Sequence, residues 1–105
     1  EYTGPPRVVV TPARNLGYIG ESLVIEALVL GDVSGVLLHH RPMGMGEFEA
    51  SPLEHQARGA WSTTLPPLSE DIEYYVEAET ADGVLVWPAT APQLNHTVVA
   101  LPFQQ

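Results

Sequence analysis

The stretch Ile72-Glu73-Tyr74-Tyr75-Val76-Glu77-Ala78-Glu79-Thr80 alternates without a break. Ile72, Tyr74, Val76 and Ala78 fall on one side, and Glu73, Tyr75, Glu77 and Glu79 on the other. That two-residue period belongs to a strand with one buried and one wet face. Asp82-Gly83 follows, a pair suited to the left-handed positions of a tight hairpin turn, and Val84 to Trp87 then reads as the returning strand.

Working outward, the same pattern recurs in short segments divided by Gly, Pro, Asp and Ser. Ser22 to Leu30 reads as a strand with Leu23, Ile25, Ala27 and Val29 inward, because Glu26 must face water and takes Val24 and Leu28 with it. Arg7 to Thr11 is a first strand stopped by Pro12, and Val36 to Arg41 is the next after Ser22 to Leu30. Gly17 to Gly20 reads as a turn, and so does Pro42 to Gly46 with Met43 and Met45. Glu47 to Ala50 fits a short edge strand with its charge outward. Trp61 to Leu65 places Trp61, Thr63 and Leu65 on one face before Pro66-Pro67 breaks it. Beyond the Pro88 to Pro92 interruption, Thr97 to Leu101 supplies the last strand.

Seven or eight strands at a spacing of roughly 8–12 residues imply an all-β, antiparallel sandwich, with a small barrel as the competing architecture. No 3.6-residue period runs long enough for a helical bundle. A chain of 105 residues makes one domain, with residues 1–6 as a linker from a preceding domain, 7–101 as the sandwich and 102–105 as a C-terminal tail. Gly4-Pro5-Pro6 has the stiffness of a linker. The absence of both an initiator Met and a signal-like start suggests a domain cut from a longer protein.

Thirteen acids stand against four arginines, with no lysine, for a net charge of −9. That balance repels phosphate backbones and anionic membrane surfaces, so nucleic acid is excluded as a partner. The apolar runs, such as Val8 to Val10, are too short to insert into a bilayer. With no cysteine there is neither a disulfide nor a thiolate metal site. Without lysine, a Lys–Asn isopeptide crosslink cannot form. Lysine avoidance beside abundant Ala, Val, Leu, Gly and Pro fits the coding bias of a GC-rich bacterial genome.

Three segments carry a family resemblance. Ile72 to Ala78 followed by an acidic-Gly turn, Val36-Leu37-Leu38-His39-His40-Arg41-Pro42, and Gly59-Ala60-Trp61-Ser62-Thr63-Thr64-Leu65-Pro66 resemble successive strands of bacterial fibronectin type III-like and immunoglobulin-like accessory domains. The resemblance spans about residues 7 to 101. It implies a tyrosine corner at Tyr74, with the ring in the core and the hydroxyl bonded back to nearby backbone. His40 stands where the pattern has an aromatic, and the immunoglobulin cysteine pair is missing. Such modules sit beside catalytic or binding domains of secreted bacterial proteins, glycoside hydrolases among them. The implied setting is extracellular or periplasmic, with neighbouring domains of the parent protein as partners.

The candidate sites are few. His39 and His40 are adjacent on a strand, so their rings diverge and cannot share a metal. His55 and His96 read as loop residues, and no metal or cofactor is expected. Trp61, Trp87, Tyr75 and Tyr18 are the aromatics that could stack on a polysaccharide; Trp61 alternates with Leu65 and reads as core, and a sugar-binding face would be built around Trp87 and Tyr75. Six acids lie between Glu70 and Asp82, along what reads as one solvated strand face and not across a hydrolytic cleft. Calcium at Glu70-Asp71 lacks EF-hand spacing. No Gly-x-Ser-x-Gly elbow occurs, Gly44-Met45-Gly46 precedes no helix, and Asn95-His96-Thr97 is a glycosylation sequon of little meaning in a bacterial chain. The expected function is a non-catalytic accessory module, with a carbohydrate-binding module and a protein–protein interaction domain as alternatives.

Overall fold

The computed structural model describes residues 6–11, 14–81 and 83–102. Among them are ten strands: β1 (Arg7–Val10), β2 (Leu16–Tyr18), β3 (Val24–Leu30), β4 (Gly35–Pro42), β5 (Glu49–Pro52), β6 (Glu54–Ala57), β7 (Ala60–Thr64), β8 (Ile72–Thr80), β9 (Gly83–Trp87) and β10 (His96–Leu101). They form an all-β sandwich. One sheet has the order β1-β3-β7-β6; the other has the order β2-β10-β8-β4-β5, with β9 also on β8. Every pairing is antiparallel except β2 with β10.

β8 is the axis of the larger sheet. Along one edge it pairs with β4 from Ile72↔Pro42 to Glu79↔Gly35. Along the other, its first part takes β10, from His96↔Tyr74 to Val98↔Ile72, and its second part takes β9, from Val76↔Trp87 to Thr80↔Gly83. Residues 88–95 are therefore a loop thrown out between two nearly collinear strands. Of the β8 residues that alternation places inward, Val76 and Ala78 are fully buried and Tyr74 nearly so, and Leu38 of β4 and Val98 of β10 are buried with them. Across the gap they meet Leu23, Ile25, Ala27 and Val29, all within the same buried cluster.

All eight expected strands are present, with ends shifted by at most two residues. Two more were not expected. Leu16–Tyr18 lies in part of the stretch read as a turn, and it joins β10 by backbone pairing at Val99↔Leu16 and Leu101↔Tyr18. Glu54–Ala57 is exposed at all four positions, so no hydrophobic period announces it; it pairs with β7 through the ladder, with a bulge after His55. Between β5 and β6 the chain changes sheets at Leu53, which is 4% exposed and donates its N–H to the Val36 carbonyl at 2.9 Å.

At Gly59, φ is +72° and an added Cβ would lie 2.9 Å from the Val29 carbonyl oxygen. Glycine is required there by both conformation and space. The Asp82 half of the expected hairpin turn and the Pro12 stop lie outside the described residues; so do the linker and tail, apart from Pro6 and Pro102.

This packing separates the two faces of each strand energetically. Leu38→Ala, which empties a fully buried site, should lower the unfolding free energy by about 2–5 kcal/mol. Val24→Ser on the outer face of β3 should change it by less than about 0.5 kcal/mol. Urea denaturation of both variants checks the assignment.

Candidate functional site

The best-connected cluster of polar side chains lies on the outer face of the larger sheet. Residues directly opposite on paired strands share a face, and the β4–β8 register sets Arg41 against Glu73, His39 against Tyr75 and Leu37 against Glu77. His39 and His40 diverge as expected. His39 lies outside, where its Nε2–H donates to the Glu77 carboxylate at 2.7 Å and its ring stacks on Tyr75 with centroids 4.5 Å apart. Phe48 meets Tyr75 edge-on at 5.1 Å. The Arg41 guanidinium covers the Phe48 ring at 4.2 Å, a cation–π contact.

Glu73 departs from expectation. Alternation put it on a wet face, yet it is only 9% exposed. Its strand is flanked by β4 and β10, and two connecting segments close over it. Oε2 accepts from Arg41 Nε at 3.1 Å and from the Gly44 N–H at 2.6 Å; Oε1 accepts from Asn95 Nδ2 at 2.7 Å. The Asn95 amide, then the Gly44 N–H and then Arg41 hold this carboxyl below its usual range, against the opposing effect of burial. The expected continuous solvated face is thus broken at Glu73 by a neutralised, hydrogen-bonded carboxylate, while Glu79 is exposed.

Asn95 contributes both an anchor and a cost. Its Nδ2 also donates to the Pro92 carbonyl at 3.0 Å, and its Oδ1 is buried without a partner among the described residues. Turning the amide over would aim that oxygen at the Glu73 carboxylate, so the orientation follows from the network. The side chain of this sequon asparagine is already committed within the fold.

Trp87 and Tyr75 are not brought together. Trp87 sits opposite Val76 and so shares its inward face, packed against the core. Tyr75 points the other way. A single stacking surface built from the pair does not form. Tyr74 is 1% exposed, with its ring 6.3 Å from Trp87 and 5.2 Å from His96. Burial pushes its phenol up to about 12.

The other histidines are strand residues, not loop residues. His55 on β6 packs on Trp61 at 4.7 Å. His96 opens β10, where Nε2–H donates to the Arg14 carbonyl at 2.7 Å. His40 faces inward and is 9% exposed; burial first holds its pKa below the ordinary value, with Glu49 opposing and His39 adding to the shift. Among the described residues no three His, Cys, Asp or Glu side chains are placed to hold a metal ion.

A groove of about 410 Å³ lies beside β2, lined by Arg14, Tyr18, Ile19, Gly20 and Glu21. Arg14 Nη1 donates to Glu21 Oε2 at 2.6 Å. Arg14, followed by the Tyr18 N–H, draws the Glu21 carboxyl down. This ion pair is largely exposed, so it pins the loop after β2 without adding much stability.

No protein-family model matches this chain, and no curated protein matches it. Solved structures do. A crystal structure of an engineered protein, a target of the Northeast Structural Genomics Consortium, superposes with a TM-score of 0.69 at 21% identity, over 92% of this chain and 20% of that one. The likeness concerns the fold: a two-sheet sandwich that makes up about a fifth of the longer chain.

Glu73 in the cluster and His40 beneath it each carry a measurable outcome. Glu73→Gln keeps the shape but loses the charge and sets an amide N–H₂ against Gly44 or Asn95. It should cost about 1–3 kcal/mol in urea denaturation and speed hydrogen exchange at the Gly44 amide. For His40, the depressed folded pKa means that the unfolded chain takes up the proton first. Stability is then full above the unfolded value of 6.5 and is lost as pH falls below it. His40→Leu should flatten the fall in stability between about pH 7 and pH 5.

Proposed function

We propose that this chain is a non-catalytic accessory module, a spacer or packing domain of a larger secreted bacterial protein such as a carbohydrate-active enzyme. The observation that carries the reading is the state of its best-built polar cluster. Acid–base or nucleophilic chemistry requires a group poised toward a reacting atom, whereas here Glu73 is hydrogen-bonded to Arg41, Gly44 and Asn95. Glu77 is bonded to His39. These side chains tie strands and loops to one another. The solved relative supports the modular part, since the same fold occupies 20% of its longer chain.

The strand order supports the finer placement among fibronectin-III and immunoglobulin-like domains. The first strand pairs in the smaller sheet and the second crosses to run parallel to the last strand of the larger one. For the polysaccharide alternative, Trp87 and Tyr75 face opposite ways, the Tyr75 and Phe48 rings on the outer face are half-buried, and Tyr18 stands exposed in the groove beside β2.

Incubating the purified chain with a panel of chromogenic glycosides and esters tests the reading. Release at the buffer rate is expected, and release above it that disappears on heat denaturation would overturn the proposal. Affinity electrophoresis through soluble polysaccharides runs beside it. Unretarded migration is expected, and retardation that Tyr75→Ala abolishes would favour sugar binding.

A further inference from the structure

The two oxygens of Glu73 bring separate parts of the chain to one point. Oε2 holds the Gly44 N–H at 2.6 Å, in the turn after β4, and Oε1 holds Asn95 Nδ2 at 2.7 Å, at the end of the 88–95 loop. The turn is fastened again where Arg41 Nη1 donates to the Gly46 carbonyl at 2.8 Å. The loop closes on itself where Thr90 Oγ1 donates to the Leu94 carbonyl at 2.8 Å. Both segments are therefore preorganised.

What they display is apolar. Met43 is 40% exposed, Met45 64% and Leu94 68%. Methionine and leucine are usually buried, yet both methionines of the chain flank the clamped Gly44. Half-buried Phe48 and Tyr75 continue the surface beneath Arg41.

The rim is acidic. Met43 N–H donates to the Asp71 carbonyl at 3.1 Å, which sets Asp71 and its neighbour Glu70 beside the patch, and Glu47 follows Gly46. Among the described residues no salt bridge engages Glu47, Glu70 or Asp71, although Asp71 Oδ1 accepts the Ala100 N–H at 2.7 Å. The local cation, Arg41, is already engaged by Glu73, Gly46 and Phe48.

We infer that the Met43–Met45–Leu94 patch is a docking site for a basic peptide segment of a partner protein, one with an apolar anchor flanked by Lys or Arg. Methionine adapts its shape to an incoming side chain, and Met and aromatic residues are enriched in interface cores. Fixed loops reduce the ordering cost of association. The unneutralised rim selects the sign of the partner and speeds encounter. A second copy of this chain would bring a charge of −9 against −9, so self-association is opposed. The inference rests on the accessory-module reading only in giving that module's partner a chemistry.

The test is a titration of the ¹⁵N-labelled chain with a short peptide alternating Leu and Lys. Peptides alternating Leu with Glu, and Ser with Lys, serve as controls. Saturable amide shifts confined to residues 42–48 and 90–95 are expected with the Leu/Lys peptide alone. Met45→Ser combined with Leu94→Ser, both at exposed positions, should weaken binding by about tenfold while leaving the rest of the spectrum in place. Glu73→Gln, which frees the loops, should weaken it as well. Equal binding by the Ser/Lys peptide, shifts spread over the whole acidic surface, or an unaffected double variant would each overturn the proposal. So would a concentration-dependent dimer that the double variant abolishes. Failure here leaves the hydrolysis result untouched, and hydrolytic activity would sink the accessory reading without moving these amide shifts.

Discussion

A carboxylate on the outer face of a sheet loses its water only where other parts of the chain are laid over it. β8 has β4 along one edge and β10 and then β9 along the other. The turn after β4 and the loop before β10 close over its Glu73, and Glu77 lies half-buried against His39. A poorly hydrated charge is costly unless partners replace the lost hydration. Arg41, the Gly44 N–H and Asn95 do this for Glu73, and His39 does it for Glu77. The aromatic layer of His39, Tyr75 and Phe48 fills the space between these two polar points.

The same constraint shapes the parts of the molecule outside the ladders. The turn after β4 and the loop before β10 would otherwise be ordinary surface connections. Because a buried carboxylate requires donors, each is drawn in and fixed by a backbone or amide N–H. Their apolar tips then have defined positions, which links the burial of a charge on the sheet to the exposed Met43, Met45 and Leu94 beside it. The groove beside β2 makes a contrast: its Arg14–Glu21 pair is exposed, so it holds a loop without demanding further partners.

How much of this was legible depended on whether a residue declared its side by hydropathy. β3 and β8 did, since Glu26 and the Tyr74–Val76–Ala78 series can face only one way each. The divergence of His39 and His40 followed from strand geometry alone. β6 was silent because all four of its residues are exposed, and β2 because three residues are too few to show a period. Trp87 was ambiguous in sequence, since a large apolar ring beside a proline fits either face. The register opposite Val76 turned it inward and away from Tyr75, so the expected pair was never one surface.

Local pattern pointed to an all-β sandwich, most of its strands and the core residues of β3 and β8, because a two-residue period is written residue by residue. It could not reveal that Glu73 is buried. Alternation says which side of a strand a residue takes, but whether that side meets water is settled by what the rest of the chain lays over it. Asn95, Gly44 and Arg41 reach Glu73 from 22, 29 and 32 residues away, and only the folded arrangement brings them there. The candidate site is a property of those long-range meetings, as the fold is a property of the alternation.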